Sequence, residues 1–278
     1  MIDRGFTFVI WLAAGIVFLA FGWLISDVLV QGVGKISWSF LADDPARSGR
    51  EGGIYPIIVS TLLILATALV IVIPLGLGSA IWLAEFTKKS SKRVRSTRLI
   101  LDVLAGVPSI VFGLFGYAFF CGFLGLGFSI LSGGLTLACM MLPILIRTTE
   151  AGLTAVPHDW RRAGAALGVS RTTLLWQVLL PYASPAITAG LLLSIGRATA
   201  ETAALIFTSG YVDRMPESLN DSGRALAVHI YDLSMNVVGG DKAAYGSALV
   251  LIVMVVIINL SANALSEFWL EKKINRLQ

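Results

Sequence analysis

Charge is what this chain has least of. Of its 278 residues only 14% are Asp, Glu, Lys or Arg, 56% are hydrophobic, and the mean hydropathy is +0.82. Soluble domains carry about 25% charged residues, so a water-borne globular domain is excluded and an integral membrane protein is indicated. Cysteine is nearly missing as well. Cys121 and Cys139 lie in apolar sequence without CxxC or Cys/His spacing, which excludes a thiolate metal site or a dithiol redox pair and leaves two small core residues. His158 and His229 stand alone, so no metal cluster is legible. No G-x-x-x-x-G-K-[ST] phosphate loop occurs, so the chain is not itself an ATPase by that motif. No Ser/His/Asp constellation occurs either, and no catalytic residue, metal or cofactor is expected in this chain. The net charge of +4 is small, and its clustering bears on membrane orientation rather than on nucleic acid.

What is there is a series of apolar stretches. A hydrocarbon core of about 30 Å asks for about 20 apolar residues per helix. Phe6 to Val30 meets this, and Ala20-Phe21-Gly22-Trp23 offers no convincing cleavage site, so a retained first span is expected. Gln31 to Gly53 is a polar loop. Ile54 to Phe86 is the second span, interrupted by Pro74. A basic cluster from Lys88 to Arg98 follows, then a short amphipathic segment to Ala105, and a third span from Val107 to Phe123. Gly125 to Gly134 reads as a turn, Leu135 to Arg147 as the fourth span, Pro185 to Phe207 as the fifth, Ser209 to Tyr245 as a second polar loop, and Gly246 to Trp269 as the sixth. The expected division is 1–53 for the first helix and periplasmic loop, 54–270 for the main transmembrane domain, and 271–278 for a tail. With six spans, Arg4, the six cations from Lys88 to Arg98, Arg147, Arg161, Arg162, Arg171, Lys272, Lys273 and Arg276 share one side. Lys35, Arg47, Arg50, Arg214, Arg224 and Lys242 lie on the other, so both termini are expected in the cytoplasm. The Lys88–Arg98 cluster suits lipid headgroups.

Between the fourth and fifth spans lies a polar, helix-forming island from Arg147 to Pro181. Lipid would not take Asp159, Arg161, Arg162 and Arg171 without large cost, so the island belongs in water on the basic side. Its grammar is helix, break, helix. Pro157 suits a first helical position; Trp160, Ala163 and Leu167 recur on one face; Gly168 suits a left-handed cap; and Ser170 can cap a second helix running to Pro181. Two readings stand side by side: a docking element for another protein, or an amphipathic helix in the lipid interface. In the fifth span, Arg197 and Glu201 are four apart and so expected on one helix face. They serve either as a buried ion pair locking helices or as part of a translocation path, in which a guanidinium attracts an anion.

Arg162-Ala163-Gly164, Gly168, and Val178-Leu179-Leu180-Pro181 together resemble the EAA loop of ABC-importer permeases, whose signature is Glu-Ala-Ala, three residues, Gly, nine residues, Ile, one residue, Leu-Pro. The spacing fits throughout. Arg162 stands where Glu is usual, Gly164 where the second Ala is usual, and Val178 for Ile. Three further runs, Gly52-Gly-Ile-Tyr-Pro56, Met141-Leu-Pro-Ile-Leu-Ile-Arg-Thr-Thr-Glu150 and Gly196-Arg-Ala-Thr-Ala-Glu-Thr-Ala-Ala-Leu-Ile-Phe-Thr208, are similar to phosphate permeases of the PstA type.

The resemblance implies an all-α, six-span, type I importer permease of MetI-like fold in the inner (cytoplasmic) membrane, with cytoplasmic coupling helices. It implies coupling to the ATPase through Trp160, Arg161, Arg162, Ala163, Gly164, Gly168, Val178, Leu180 and Pro181, and a substrate path past Arg197, Glu201 and Thr202. Arg147 and Glu150 are expected as hinge or interface residues. The implied partners are a PstC-type second permease, two PstB-type ATPases that hold ATP and Mg, a PstS-type phosphate-binding protein and membrane lipid. Another oxyanion such as molybdate or sulfate, an ATP-independent anion channel or carrier, and a purely structural assembly subunit stay open as alternatives.

Overall fold

Lipid offers no hydrogen bonds to a peptide backbone, so a crossing segment that is not part of a barrel has to be helical. The structure, a computed structural model, describes residues 2–88 and 91–274, with side chains over 5–88 and 91–264. Lys89 of the basic cluster and Arg276 of the expected tail lie outside the described residues, as do the side chains of Arg4, Lys272 and Lys273. The elements are α-helical apart from one small hairpin. Five helices are long and apolar enough to cross a membrane, and there are six crossings if one bent helix pair counts as a single span.

Helix α1 runs Ile2–Val33, enclosing the expected first span. The loop after it is more structured than its polar composition indicates. Ser37 accepts the amide of Phe40 and starts α2, Trp38–Ala42, and β1, Pro45–Ala46, pairs antiparallel with β2, Glu51–Gly52. The hairpin is tight because Arg47, Ser48 and Gly49 all take positive φ, at 48°, 58° and 83°. Helix α3, Tyr55–Glu85, carries Pro56 in its first turn, where no amide is needed, and Pro74 inside.

The third crossing is not a single rod. Helix α4, Lys92–Ala105, meets α5, Ser109–Gly116, which continues as a π turn through Phe123, at a bend of 100°. The bend falls at Gly106-Val107-Pro108, where proline withholds an amide and constrains the residue before it. The expected span from Val107 is therefore only the outer arm. Helix α6, Ile130–Ala155, starts earlier than the expected Leu135 and runs about two turns past Arg147, where the expected span extends only slightly beyond. Ser129 caps it by accepting the amide of Ser132, and Gly133 and Gly134 are helical because Ser209 and Thr67 press against their bare backbone.

The fifth span also departs from its expected bounds of Pro185 to Phe207. Helix α8, Arg171–Leu174, passes through a π turn, Leu175–Leu179, into α9, Leu180–Thr199, making one apolar rod from Arg171 to Thr199. Pro181 and Pro185 do not stop it. The Pro181 carbonyl, which Pro185 cannot serve because it has no amide, accepts the Ser184 hydroxyl at 2.8 Å. The helix ends at Thr199, and a separate short helix, α10, follows at Ala203–Ile206. The second polar loop contains α11, Leu226–Met235, which buries five of its residues. Helix α12 runs Asp241–Ile274.

Helix α6 is the hub, with α3 on one side and α9 on another, around a core that includes Ile64, Ala68, Leu137, Met141, Leu145 and Ile195. In lipid, apolar burial gives helices little reason to prefer one another over acyl chains, so close backbone approach matters more. Small residues supply it: Gly76 lies under Leu145, Gly152 against Ala186, and Gly190 against Thr148. Helix α1 is exposed along its length within this chain and touches it mainly through α12, where Tyr245 donates to Asp27 at 3.1 Å.

The α6–α9 seam can be tested at Gly190. Gly190→Val drives a branched side chain into Thr148 and is expected to cost about 1–3 kcal/mol of stability by overpacking. It should lower the thermal midpoint of the detergent-purified protein. Gly196→Ala, whose added carbon meets open space, should leave the midpoint in place. Equal midpoints for both variants would contradict the packing described.

Candidate functional site

The polar island folds into an elbow at the basic end of the bundle. Val156 ends α6, and α7, His158–Ala166, begins behind Pro157, which sits just outside the helix at φ −54°, ψ 136° rather than in its first turn. Gly168 turns the chain at φ +70°, and Val169 donates back to the Gly164 carbonyl at 2.9 Å. Ser170 then accepts the Thr173 amide at 3.1 Å and opens α8. The break and both caps lie at the expected residues. The second arm differs, because it is the beginning of the fifth span rather than a helix ending at Pro181.

The expected coupling residues divide by direction. Arg162 is exposed, its side chain 82% accessible with only a 3.8 Å pair to Asp159, and Ala163 lies beside it at the surface. Trp160 rests edge-on against Tyr182, ring centroids 5.1 Å apart, and Gly164 is buried under Leu174. Val178 and Leu180 are half-buried, Leu180 packing on Leu153, Val156, Leu175 and Leu179, and Pro181 sits within the rod. Arg161 points inward. It forks onto Glu85 at 2.6 and 3.2 Å and donates to the carbonyls of Val156 and Leu153, both at 2.8 Å.

Deeper along α6, Glu150 is 3% exposed and takes two guanidinium groups at 2.6 Å each, from Arg98 of α4 and Arg147 of its own helix. Arg147 also donates to Asp102 at 2.7 Å. Two cations and two carboxylates thus tie α4 to α6 beside a cavity of about 610 Å³. Burying a carboxylate without such partners is costly.

Arg197 and Glu201 are not the i,i+4 pair that a continuous helix implies. Helix α9 ends between them, so they do not share a face. Glu201, 8% exposed, accepts the Ala204 amide at 3.2 Å and caps α10, with Thr202 at the junction. Arg197 stays half-buried in the last turn of α9, reaches the Ala105 carbonyl at 3.5 Å, and makes no ion pair among the described residues. Thr199 and Thr208 bond backbone carbonyls of their own segments at 2.8 Å, which takes their hydroxyl protons out of play.

A second charged cluster, at the end away from the elbow, was not legible. Arg224, 9% exposed, donates to the Tyr211 carbonyl at 2.7 Å and pairs with Asp232 at 3.3 Å and Asp213 at 3.8 Å. It also faces His229 Nδ1 at 3.4 Å, and since a guanidinium only donates, His229 carries its proton on Nε2. His229 is fully buried beneath the hairpin, where any side chain at Gly49 would strike its ring. Burial first, then the Arg224 cation, pushes its pKa down to about 4. The only advance signal was the spacing Arg224, His229, Asp232 around a short helix hidden in a polar loop.

A bent-helix bundle that carries an exposed elbow on its basic end defines a multi-pass membrane permease of the kind driven from outside its own chain. The chain belongs to the family described as the binding-protein-dependent transport system inner membrane component, which matches residues 72–276; it is the permease subunit of an ABC-type importer, and ATP hydrolysis belongs to a separate chain. Among similar proteins is a probable ABC transporter permease, YqgI, of Bacillus subtilis (strain 168), 33% identical over 254 residues and 86% of each chain. Another is the phosphate transport system permease protein PstA of Mycobacterium leprae, 34% identical over 244 residues, 86% of this chain and 80% of that one. In fold the chain is similar to a bacterial ABC transporter that imports alginate, with a TM-score of 0.64 at 14% identity over 92% of this chain and 95% of that one. It is also similar to the inward-facing MetNI methionine transporter, with a TM-score of 0.56 at 16% identity over 77% of this chain and 93% of that one. The expected MetI-like architecture is the one found.

The outer cluster makes stability depend on pH. His229 is held neutral in the folded protein, with a pKa of about 4 against an ordinary 6.5, so between these values the unfolded chain binds the proton more readily. Its contribution is complete above pH 6.5 and is lost as the pH falls towards 4, by up to about 3 kcal/mol. Denaturation midpoints measured across that range should fall for the native protein and flatten for His229→Gln. An unchanged slope in the variant would remove His229 as the cause.

Proposed function

We propose that this chain forms one half of the path of an ATP-driven importer of inorganic phosphate. Its second half is a PstC-type permease, two PstB-type ATPases bind ATP and Mg on the cytoplasmic side, and a PstS-type binding protein delivers phosphate from outside. The 54–270 segment is the transporting domain, and 1–53 adds an outer helix and loop. The elbow of α7 and α8 receives the push of the ATPases, presenting Trp160, Arg162 and Ala163 while Gly164, Gly168, Val178, Leu180 and Pro181 hold its shape. Arg147 and Glu150 act as the joint between α4 and α6. As the ATPases close on ATP, the rods rock between inward- and outward-facing states.

The observation that carries the substrate is Arg197. Every other described cation deep in the bundle has its carboxylate: Arg98 and Arg147 share Glu150, and Arg147 also has Asp102. Arg197 has a single long contact with a carbonyl. A charged arginine within the hydrocarbon region is costly, and an arriving oxyanion offsets that cost while matching the guanidinium fork. Glu201 and Thr202 hold the break in the chain that leaves Arg197 at a helix end, where the C-terminal dipole favours a cation. The relatives named as phosphate permeases support phosphate as the anion.

Uptake of labelled phosphate by the whole transporter in proteoliposomes tests this. Arg197→Gln should cut uptake by about a hundredfold at unchanged membrane levels, the range expected when a paired charge is lost, and Arg197→Lys should keep an intermediate rate. Molybdate and sulfate in excess should compete weakly. Normal uptake by Arg197→Gln would remove Arg197 from the path, and strong competition by either anion would replace phosphate as substrate.

A further inference from the structure

Arg161 lies next to the most exposed cation of the elbow yet faces the opposite way. Its side chain is 20% accessible and that of Glu85 15%. From one planar group on α7 come four hydrogen bonds to two other elements: two to Glu85, the last residue of α3, and one each to Leu153 and Val156, at the terminal turn of α6. At this helix end the Leu153 carbonyl receives only the Val156 amide, at 3.4 Å, because Pro157 has no amide to give, so the guanidinium completes that helix end as well as bridging to α3.

The surroundings make this contact a strut rather than one tie among many. On one side of the Arg161–Glu85 pair is a cavity of about 300 Å³, bounded also by Ala165, Val169 and Leu174. On the other is one of about 240 Å³, bounded by Ala84, Thr87, Thr154 and His158. Side chains that would otherwise transmit force between α7 and the end of α3 by simple packing are therefore sparse, and a displacement of α7 reaches α3 through the ion pair.

We propose that Arg161 is a positioning residue that makes α7 a lever with two loads, α3 through Glu85 and α6 through the carbonyls of Leu153 and Val156. Any push that rotates α7 either breaks all four hydrogen bonds or carries the ends of both spans with it. A lysine would supply the charge as a single point but not the fork that spans three elements. The inference rests on α7 being the seat of the ATPase.

Phosphate uptake and ATP hydrolysis, measured together on the complete transporter in proteoliposomes, test the lever. Arg161→Gln is expected to hydrolyse ATP at close to the native rate while uptake per ATP falls about tenfold, the size of a lost coupling term. Arg161→Lys should fall between the two, and Glu85→Gln should reduce the ratio less than Arg161→Gln because the carbonyl bonds remain. If Arg161→Gln fails to assemble, Glu85→Gln is read by the same ratio. An unchanged ratio, whether both rates hold or both fall in parallel, overturns the inference, because a merely structural role lowers the two together. Arg162→Cys, at an exposed position and cross-linked to the ATPase subunits, separates the two levels. A cross-link together with an unchanged ratio overturns the lever alone, and no cross-link overturns the docking reading beneath it.

Discussion

A helix without a joint is the constraint on which this structure depends. From the Ser170 cap to Thr199 the backbone runs as one rod, through a π turn and two prolines, from the water-exposed elbow into the middle of the bundle. Rods of this kind transmit displacement because bending them exposes carbonyls that lipid cannot satisfy. Ser184 removes the obvious weak point by serving the carbonyl that Pro185 leaves open. Helix α6 enters the elbow from the other side, and Gly152 and Gly190 hold the two rods at backbone contact. Motion at the elbow is therefore motion of the core.

The charged groups within the bundle sort by the same logic. Arg98, Arg147, Asp102 and Glu150 pair with one another where α4 meets α6. Arg197 makes no such pair among the described residues and lies at the end of a helix beside a break in the chain. In the function proposed above, the path has to hold an anion well enough to admit it and weakly enough to release it, and Arg197 is the residue proposed for the first demand. At the far end, the hairpin over His229 and the Arg224 cluster tie the two outer loops together.

Much of this was legible from residue order. The Gly168 cap and the Ser170 cap follow from turn chemistry, and the position of Arg161 and Arg162 between the apolar rods, in a separate short helix, follows from the cost of charge in lipid. Helix ends were the weak part, for a common physical reason. Pro185, Gly133 and Gly134 read as boundaries when only the local backbone is considered, yet each is accommodated by a partner distant or unremarkable in sequence: Ser184, Ser209 or Thr67. The supposed Arg197–Glu201 pair failed from the same cause, since a span shifted towards its start places Glu201 beyond the helix end. Helix α11 stayed hidden because its polar flanks masked a segment buried by tertiary contacts.

Spin labels report most directly on whether elbow and span move as one body. One label pair, at Arg171 on the exposed start of α8 and Leu193 on the exposed flank of α9, measures the rod. A second pair, at Leu167 and Val238 on the opposite face, measures its movement against the outer loops. With nucleotide trapped in the complete transporter, the first distance should stay as it is without nucleotide and the second should change. A first distance that changes with nucleotide would place a joint between elbow and span, and the account would be wrong.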